Sequence, residues 1–432
     1  MASAEKAQMH AKHGSSLPYG SLGLRQRHAE PVITSLMTAA LERPNLLSLA
    51  AGFTDNAVLP VEATAEAAHD LAKAGQVETL QYGLNRGRFG LRQAVVDLLR
   101  TFPGEAQLDL EASQVLVTNG SQQALYLTVQ LLCDPGDIVL VQAPSYFVFL
   151  ELLRGLGVRA LSVPTWPDGR IDLGALEGLL QELRESRELP RVKLLYLMGV
   201  FANPSARCIE EADKIGLAEL IGRLGQPLPV IEDMAYRELY FGEPYPARSM
   251  LSLPEWRDLP LLYSCSFSKS FASGMKTGYV VSRHAEWLEG MARIKGHQDF
   301  GTANYAQALL ERLWQRGDYQ AQLERVRPHY QHKMRVLTEA LEAEGLRELG
   351  WQWEAPEGGL LMWLEGPTGF NTAIDSPFYQ ACLERDVLYV PGDLCFAEGA
   401  PHHAVRLSFG TLSEDNLREA AARFVAAARA VG

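Results

Sequence analysis

Between about Val115 and Tyr279 the chain alternates short apolar runs with longer stretches whose apolar positions recur at helical spacing. The runs VLVT (115–118), IVLV (138–141), LLYLM (194–198), PVIE (229–232), LLYSCS (261–266) and GYVV (278–281) are largely apolar on both faces, which predicts strands covered on both sides. The gaps hold amphipathic stretches such as SQQALYLTVQLLC, which stops at the Pro/Gly break DPGD. This alternation predicts an α/β fold in which parallel strands are joined by helical crossovers. After about Thr302 the pattern changes to long helices, YAQALLERLWQ and QLERVRPHYQHKMRVLTEALEAEG, then a few strands and a closing helix, DNLREAAARFVAAARAV. That predicts a smaller α+β domain, joined by part of the first sixty residues, because SLAAGFTDNAVLP reads as an extended segment crossing between lobes. No internal repeat or low-complexity tract interrupts the chain.

A length of 432 residues agrees with two domains, and 47% hydrophobic with 21% charged residues is the balance of a soluble globular protein. The net charge of -12 argues against nucleic acid or an anionic membrane surface as the main partner. Cys133, Cys208, Cys265, Cys382 and Cys395 stand far apart, without CxxC spacing or the density of a disulfide scaffold, so a reducing cytoplasm is expected. The opening MASAEKAQMHAKHGSSLPYG lacks the apolar core of a signal peptide, Glu5 and Glu30 argue against a transit peptide, and no later run is apolar for long enough to span a bilayer.

The candidate chemistry begins at SCSFSKSFASGMKTGYVV (264–281), where Lys269 stands alone among serines, glycines and apolar residues. Desolvation lowers the pKa of such an amine and frees it to form a Schiff base with a carbonyl. Ser266 and Ser268 before it and Lys276 after it would hold a phosphate, so a phosphorylated carbonyl compound, pyridoxal phosphate, is indicated. A lysine snorkelling from a Ser-rich turn is the plainer reading of this motif alone.

Four other motifs supply what such a cofactor needs, and each has an ordinary alternative. VTNGSQQALYL sets Asn119, Gly120, Ser121 and Gln122 between a strand and a helix, as a phosphate site or a common N-cap. APSYFVF places Tyr146 just after a strand, as a ring to stack on a heteroaromatic or as core. LMGVFANPSAR puts Asn203 at a strand end, as a donor to a ring hydroxyl or as a plain Asn-Pro turn. PVIEDMAYREL delivers Asp233 and Tyr236, the carboxylate being a partner for a protonated pyridine nitrogen or a solvated loop acid. Strand ends in a parallel sheet converge on one crevice, and the joint occurrence favours the cofactor.

With these motifs in order, the chain resembles the fold-type I pyridoxal-phosphate enzymes, and among them the class I/II aminotransferases of the 2-aminoadipate and kynurenine branch. The resemblance runs from LSLAAGF to VRLSFG through LQYGLNRGRFGLR, NGSQQAL, PSYF, NPSA, EDMAY, SFSKSFASGMKTGY, APEGGLLMWL and VLYVPGDLCF. It implies a large domain (61–302) with a mostly parallel seven-stranded sheet flanked by helices, and a small α+β domain from residues 1–60 and 303–432. It also implies a homodimer acting on an amino acid and a 2-oxo acid.

By the same resemblance Lys269 carries the cofactor, pyridoxal 5'-phosphate, as a Schiff base and moves the substrate proton. Asp233 pairs with the pyridine nitrogen, Asn203 and Tyr236 bond the ring hydroxyl, and Tyr146 stacks on the ring. Gly120, Ser121, Gln122, Ser266, Ser268 and Lys276 bind the phosphate, with Tyr82 reaching in from the second subunit. Arg406 clamps the substrate carboxylate beside Asn203 and Gly52. The chain departs from its relatives at Lys276, where arginine is usual, at Ala206 in place of a glycine, and at Met234 and Ala235. A lyase, decarboxylase or oxidase on the same fold is the alternative these departures leave open. A cofactor-binding transcription regulator is disfavoured by the short stretch before the first matching helix and by the acidic charge.

Phe53, Leu59 and Phe300 are expected to line the side-chain pocket. His329 with His332, and His402 with His403, are expected to be solvated faces rather than metal ligands, and Arg86 and Arg88 to be subunit-interface charges.

Overall fold

The computed structural model describes residues 20–26, 38, 43, 45–166 and 168–432. Most of the segment before residue 45, with Glu5 and Glu30, lies outside the described residues. In chain order the strands are β1 Leu47–Ser48, β2 Val115–Thr118, β3 Ile138–Val141, β4 Arg159–Ser162, β5 Val192–Met198, β6 Val230–Asp233, β7 Leu261–Ser266 and β8 Gly278–Val281. They continue as β9 Gln352–Trp353, β10 Leu361–Glu365, β11 Val387–Leu388, β12 Val390–Pro391 and β13 Ala404–Ser408. The chain is an α/β protein whose central sheet has seven strands in the order β2-β8-β7-β6-β5-β3-β4.

The six apolar runs are strands at or within a residue or two of the expected bounds, and the sheet is mostly parallel as expected, with one reversed strand. GYVV pairs antiparallel with both β2 and β7. Apolar periodicity marks a buried strand without giving its direction, so this reversal leaves no trace in the pattern. The seventh strand, β4, gives no comparable signal because it is an edge strand: its residues RALS are partly exposed and lack an unbroken apolar run.

Alternate residues of β5 show how the sheet is buried. Leu195 and Leu197 face one apolar layer and Leu194, Tyr196 and Met198 the other, as the period of two requires. The helices Gly120–Leu132 and Phe147–Leu156 supply Ala124, Leu125, Phe149 and Leu153 to the second layer. Beyond the sheet, β12-β13-β10-β9 form a four-stranded antiparallel sheet, and β1 pairs in parallel with β11. The long helix Asp318–Ala343 packs on the closing helix Glu414–Val431. Among the described residues no helix is long and apolar enough to cross a membrane.

Candidate active site

The carboxyl ends of β2, β3, β5, β6 and β7 lie at one edge of the sheet; Asp233 ends β6, and the segments that follow the others carry Gly120, Tyr146, Asn203 and Lys269. Because β8 runs the other way, it begins at that same edge, opposite Thr118 and Ser266, and so brings Lys276 there. Gly52, Ser121, Gln122, Tyr146, Asn203, Asp233, Tyr236, Lys269, Lys276 and Arg406 together line one cavity of about 330 Å³. That is enough room for a small organic ligand.

Close backbone packing shapes the end nearest the helix Gly120–Leu132. Gly120 sits at φ +72°, and a Cβ on Gly278 would meet the Gly120 carbonyl carbon at 2.7 Å and the Cys265 oxygen at 2.8 Å. Only glycine at 278 lets the turn approach the sheet this closely. The cap residue Asn119 gives the helix no side-chain bond and donates instead to Asp299 at 2.6 Å, so the N-capping reading of this motif does not hold. The first N–H groups and the positive helix end therefore suit an anion. Ser266 and Ser268 adjoin it without lining the cavity. The Ser266 hydroxyl donates to Ser268 Oγ at 2.9 Å and accepts from the Ser268 N–H at 3.2 Å.

The Lys269 side chain is enclosed by protein but open to the cavity, and its Nζ donates to the Gly52 carbonyl at 2.6 Å. Burial first, then the Arg406 and Lys276 charges, bring its pKa down to about 8. The buried Asp233 carboxyl is pushed up to about 6 by loss of water, against the opposing pull of the Tyr196 hydroxyl at 3.0 Å and the Ala235 N–H at 3.1 Å. Arg406, 3% exposed, donates to Asn203 Oδ1 at 3.2 Å and to the Ala50 carbonyl, while its Nε has no partner. That buried, unanswered donor suits a carboxylate. An amine of lowered pKa, an acid deep in the cavity and the Lys276 cation beside the helix end fit an aldehyde, a pyridine nitrogen and a phosphate.

Other expectations fare differently. Tyr82 is 82% exposed, lies outside the cavity and packs edge-on against Phe300 at 5.4 Å. Phe53 lines the cavity, whereas Leu59 and Phe300 line separate surface hollows. Within the chain Arg88 is paired with Glu311 at 2.6 Å, and Arg86 donates to the Ser113 carbonyl at 2.6 Å. His329 reaches the largely buried Asp55 at 3.0 Å, which takes it off the solvated face expected for it, whereas His332 is exposed as expected and reaches Glu414 at 2.9 Å on the surface. Among the described residues no three His, Cys, Asp or Glu side chains gather as a metal site. Sequence reasoning missed Tyr196, Gly278, Phe147 and Met198; the one available signal was a tyrosine inside the apolar run LLYLM.

Residues 44–424 match the family model for aminotransferase class I and II. The 2-aminoadipate transaminase of Thermus thermophilus is 34% identical over 385 residues, covering 88% of this chain and 90% of the relative. The crystal structure of the alpha-aminoadipate aminotransferase LysN from the same organism, complexed with N-(5'-phosphopyridoxyl)-L-leucine, superposes with a TM-score of 0.81 at 32% identity, over 96% of this chain and 97% of that one. A kynurenine aminotransferase from Pyrococcus horikoshii gives a TM-score of 0.84 at 26% identity, over 95% and 97% of the two chains. Six strand runs read from apolar pattern, a lysine-centred cavity at their carboxyl edge and a family match across nearly the whole chain lead to one conclusion: this protein belongs to the class I and II aminotransferases.

Proposed function

We propose that the cavity transfers an amino group from an L-α-amino acid to a 2-oxo acid through Lys269. The protein is an aminotransferase dependent on pyridoxal 5'-phosphate, which when bound supplies an aldehyde for amines and a ring that takes up electrons as the substrate Cα loses its proton. Arg406 binds the substrate carboxylate with its fork of N–H donors, and Asn203 orients that fork from the side. This fixes the amino acid so that its Cα–H points at Lys269 Nζ. The Lys269 amine, whose pKa burial brings to about 8, would accept that proton at Nζ and hold it for the return transfer. With the cofactor bound, Asp233 would hold a positive charge at the ring nitrogen, Tyr236 and Asn203 would bond the ring hydroxyl, and Tyr146 would cover the ring and exclude water. Ser121, Gln122 and Lys276, with Gly120, Ser266 and Ser268 beside them, hold the phosphate.

The observation that carries this reading is Lys269 Nζ facing the same cavity as buried Asp233 and Arg406. Borohydride reduction of the holoenzyme followed by peptide mapping should label Lys269, and Lys269→Ala should lose both the visible absorbance and the conversion of amino acids. A Lys269→Ala protein that keeps both would refute it.

The working unit in this reading is a cytoplasmic homodimer. The five free cysteines agree with a reducing compartment, and exposed Leu80, Tyr82, Leu84 and Phe300 offer an apolar surface for a second copy whose Tyr82 completes the phosphate site. The large unit 61–302 supplies the cofactor site, while 1–60 and 303–432 supply the carboxylate clamp. Light scattering that finds an active monomer would overturn the dimer.

A further inference from the structure

The Tyr196 side chain is wholly buried in the second apolar layer, with its ring against Phe149 at a centroid distance of 4.3 Å. Its hydroxyl is 3.0 Å from Asp233 Oδ2, and the Ala235 N–H is 3.1 Å from Oδ1. Each oxygen of Asp233 therefore faces a donor on its protein side. The amide can only donate. If Asp233 were to take up a proton on Oδ2, the Tyr196 hydroxyl would have to turn and accept it, leaving its own hydrogen without a partner among apolar side chains.

We infer that Tyr196 is a positioning residue of the aminotransferase reaction: by donating to Asp233 Oδ2 it keeps that carboxyl ionised and oriented, so that the shared proton stays on the cofactor's ring nitrogen. The inference rests on the reading of Asp233 as the partner of that nitrogen. The direction of the charge balance agrees. Burial pushes the Asp233 carboxyl up, and the Tyr196 hydroxyl is the first influence that pulls it back. A ring nitrogen that keeps its proton withdraws electrons from the reacting carbon; one that loses it to Asp233 does not.

The test is Tyr196→Phe, which deletes one oxygen in a buried site and leaves the ring packing in place. Losing a hydrogen bond to a buried charge should raise the proton affinity of Asp233 by roughly ten- to a hundredfold. With cofactor labelled with ¹⁵N in the ring, the nitrogen resonance of the variant should move toward the unprotonated position, while the melting temperature stays close to wild type. The rate constant kcat should fall by a similar factor with KM little changed. A site-specific 3,5-difluorotyrosine at 196, a stronger donor of nearly the same shape, should move the resonance the other way and covers the case in which the phenylalanine variant does not fold. If either folded protein takes up cofactor and its nitrogen resonance overlays that of wild type across the pH titration, the inference is wrong and the reading of the site stands. A wild-type protein that takes up no cofactor would bring down both.

Discussion

A methyl group added at Gly278 should loosen the phosphate end of the site without touching any side chain that contacts the cofactor. The added Cβ would lie 2.7 Å from the Gly120 carbonyl carbon and 2.8 Å from both Gly120 Cα and the Cys265 oxygen, all backbone atoms with no rotamer to yield. Ordinary contact begins at 3.4 Å, so the Gly120 turn must retreat by about 0.7 Å or β7 and β8 must part. Overpacking of this size destabilises by about 1–3 kcal/mol. The same shift carries the first N–H groups of the helix Gly120–Leu132 away from the phosphate, and displacements approaching 1 Å weaken a positioned interaction by up to about a hundredfold. Gly278→Ala apoprotein titrated with pyridoxal 5'-phosphate should therefore bind roughly ten- to a hundredfold more weakly. Pyridoxal, which lacks the phosphate, should lose far less. Equal losses for both aldehydes, or an unchanged affinity for the phosphorylated one in a destabilised protein, would refute the argument.

Three further outcomes follow from the geometry. Ala206 occupies φ +58°, a left-handed conformation that strains any residue with a Cβ, so Ala206→Gly should stabilise by about 0.5–1 kcal/mol in denaturant titration once the looser unfolded chain is discounted. Asp55 is buried and accepts from Lys333 Nζ at 2.6 Å; Asp55→Ala strands that lysine and should destabilise by about 3 kcal/mol or more, with Asp55→Asn intermediate. The folded protein holds Lys269 near 8 against an ordinary value of 10.5, so the unfolded chain binds the extra proton between these two pH values and stability from this group rises with pH across that window. Apo Lys269→Met should accordingly be more stable than apo wild type below pH 8, and the gap should close toward pH 10.5; a gap that widens would reverse the assignment of burial as the cause.

How much of this is legible in sequence depends on what each kind of residue records. Buried strands such as Ile138–Val141 and Leu261–Ser266 announce themselves because both faces are apolar. The groups of the site are readable because Lys269, Asp233 and Asn203 are polar residues at the ends of apolar runs. Partnerships across the fold are not readable. His329 and Asp55 lie far apart along the chain, and nothing local to either predicts their meeting. Tyr196 reads as packing because its neighbours are all apolar, and only the structure reveals that its hydroxyl meets the Asp233 carboxylate. Phe300 is expected in the pocket on hydrophobicity alone, whereas its backbone, at φ +54°, turns it outward beside Tyr82.

Two of the three cations that line the cavity already have oxygen neighbours on a single short stretch of backbone: Lys269 is held by Gly52 and Arg406 by Ala50. A guest that engages both must therefore trade these contacts for its own, and only the unpartnered Arg406 Nε offers a bond that displaces none. Discrimination among guests then falls largely to whatever meets the side chain, while the strip 50–52, giving up both grips at once, keeps its hold through Thr411 Oγ1 on the Ala51 carbonyl at 3.3 Å.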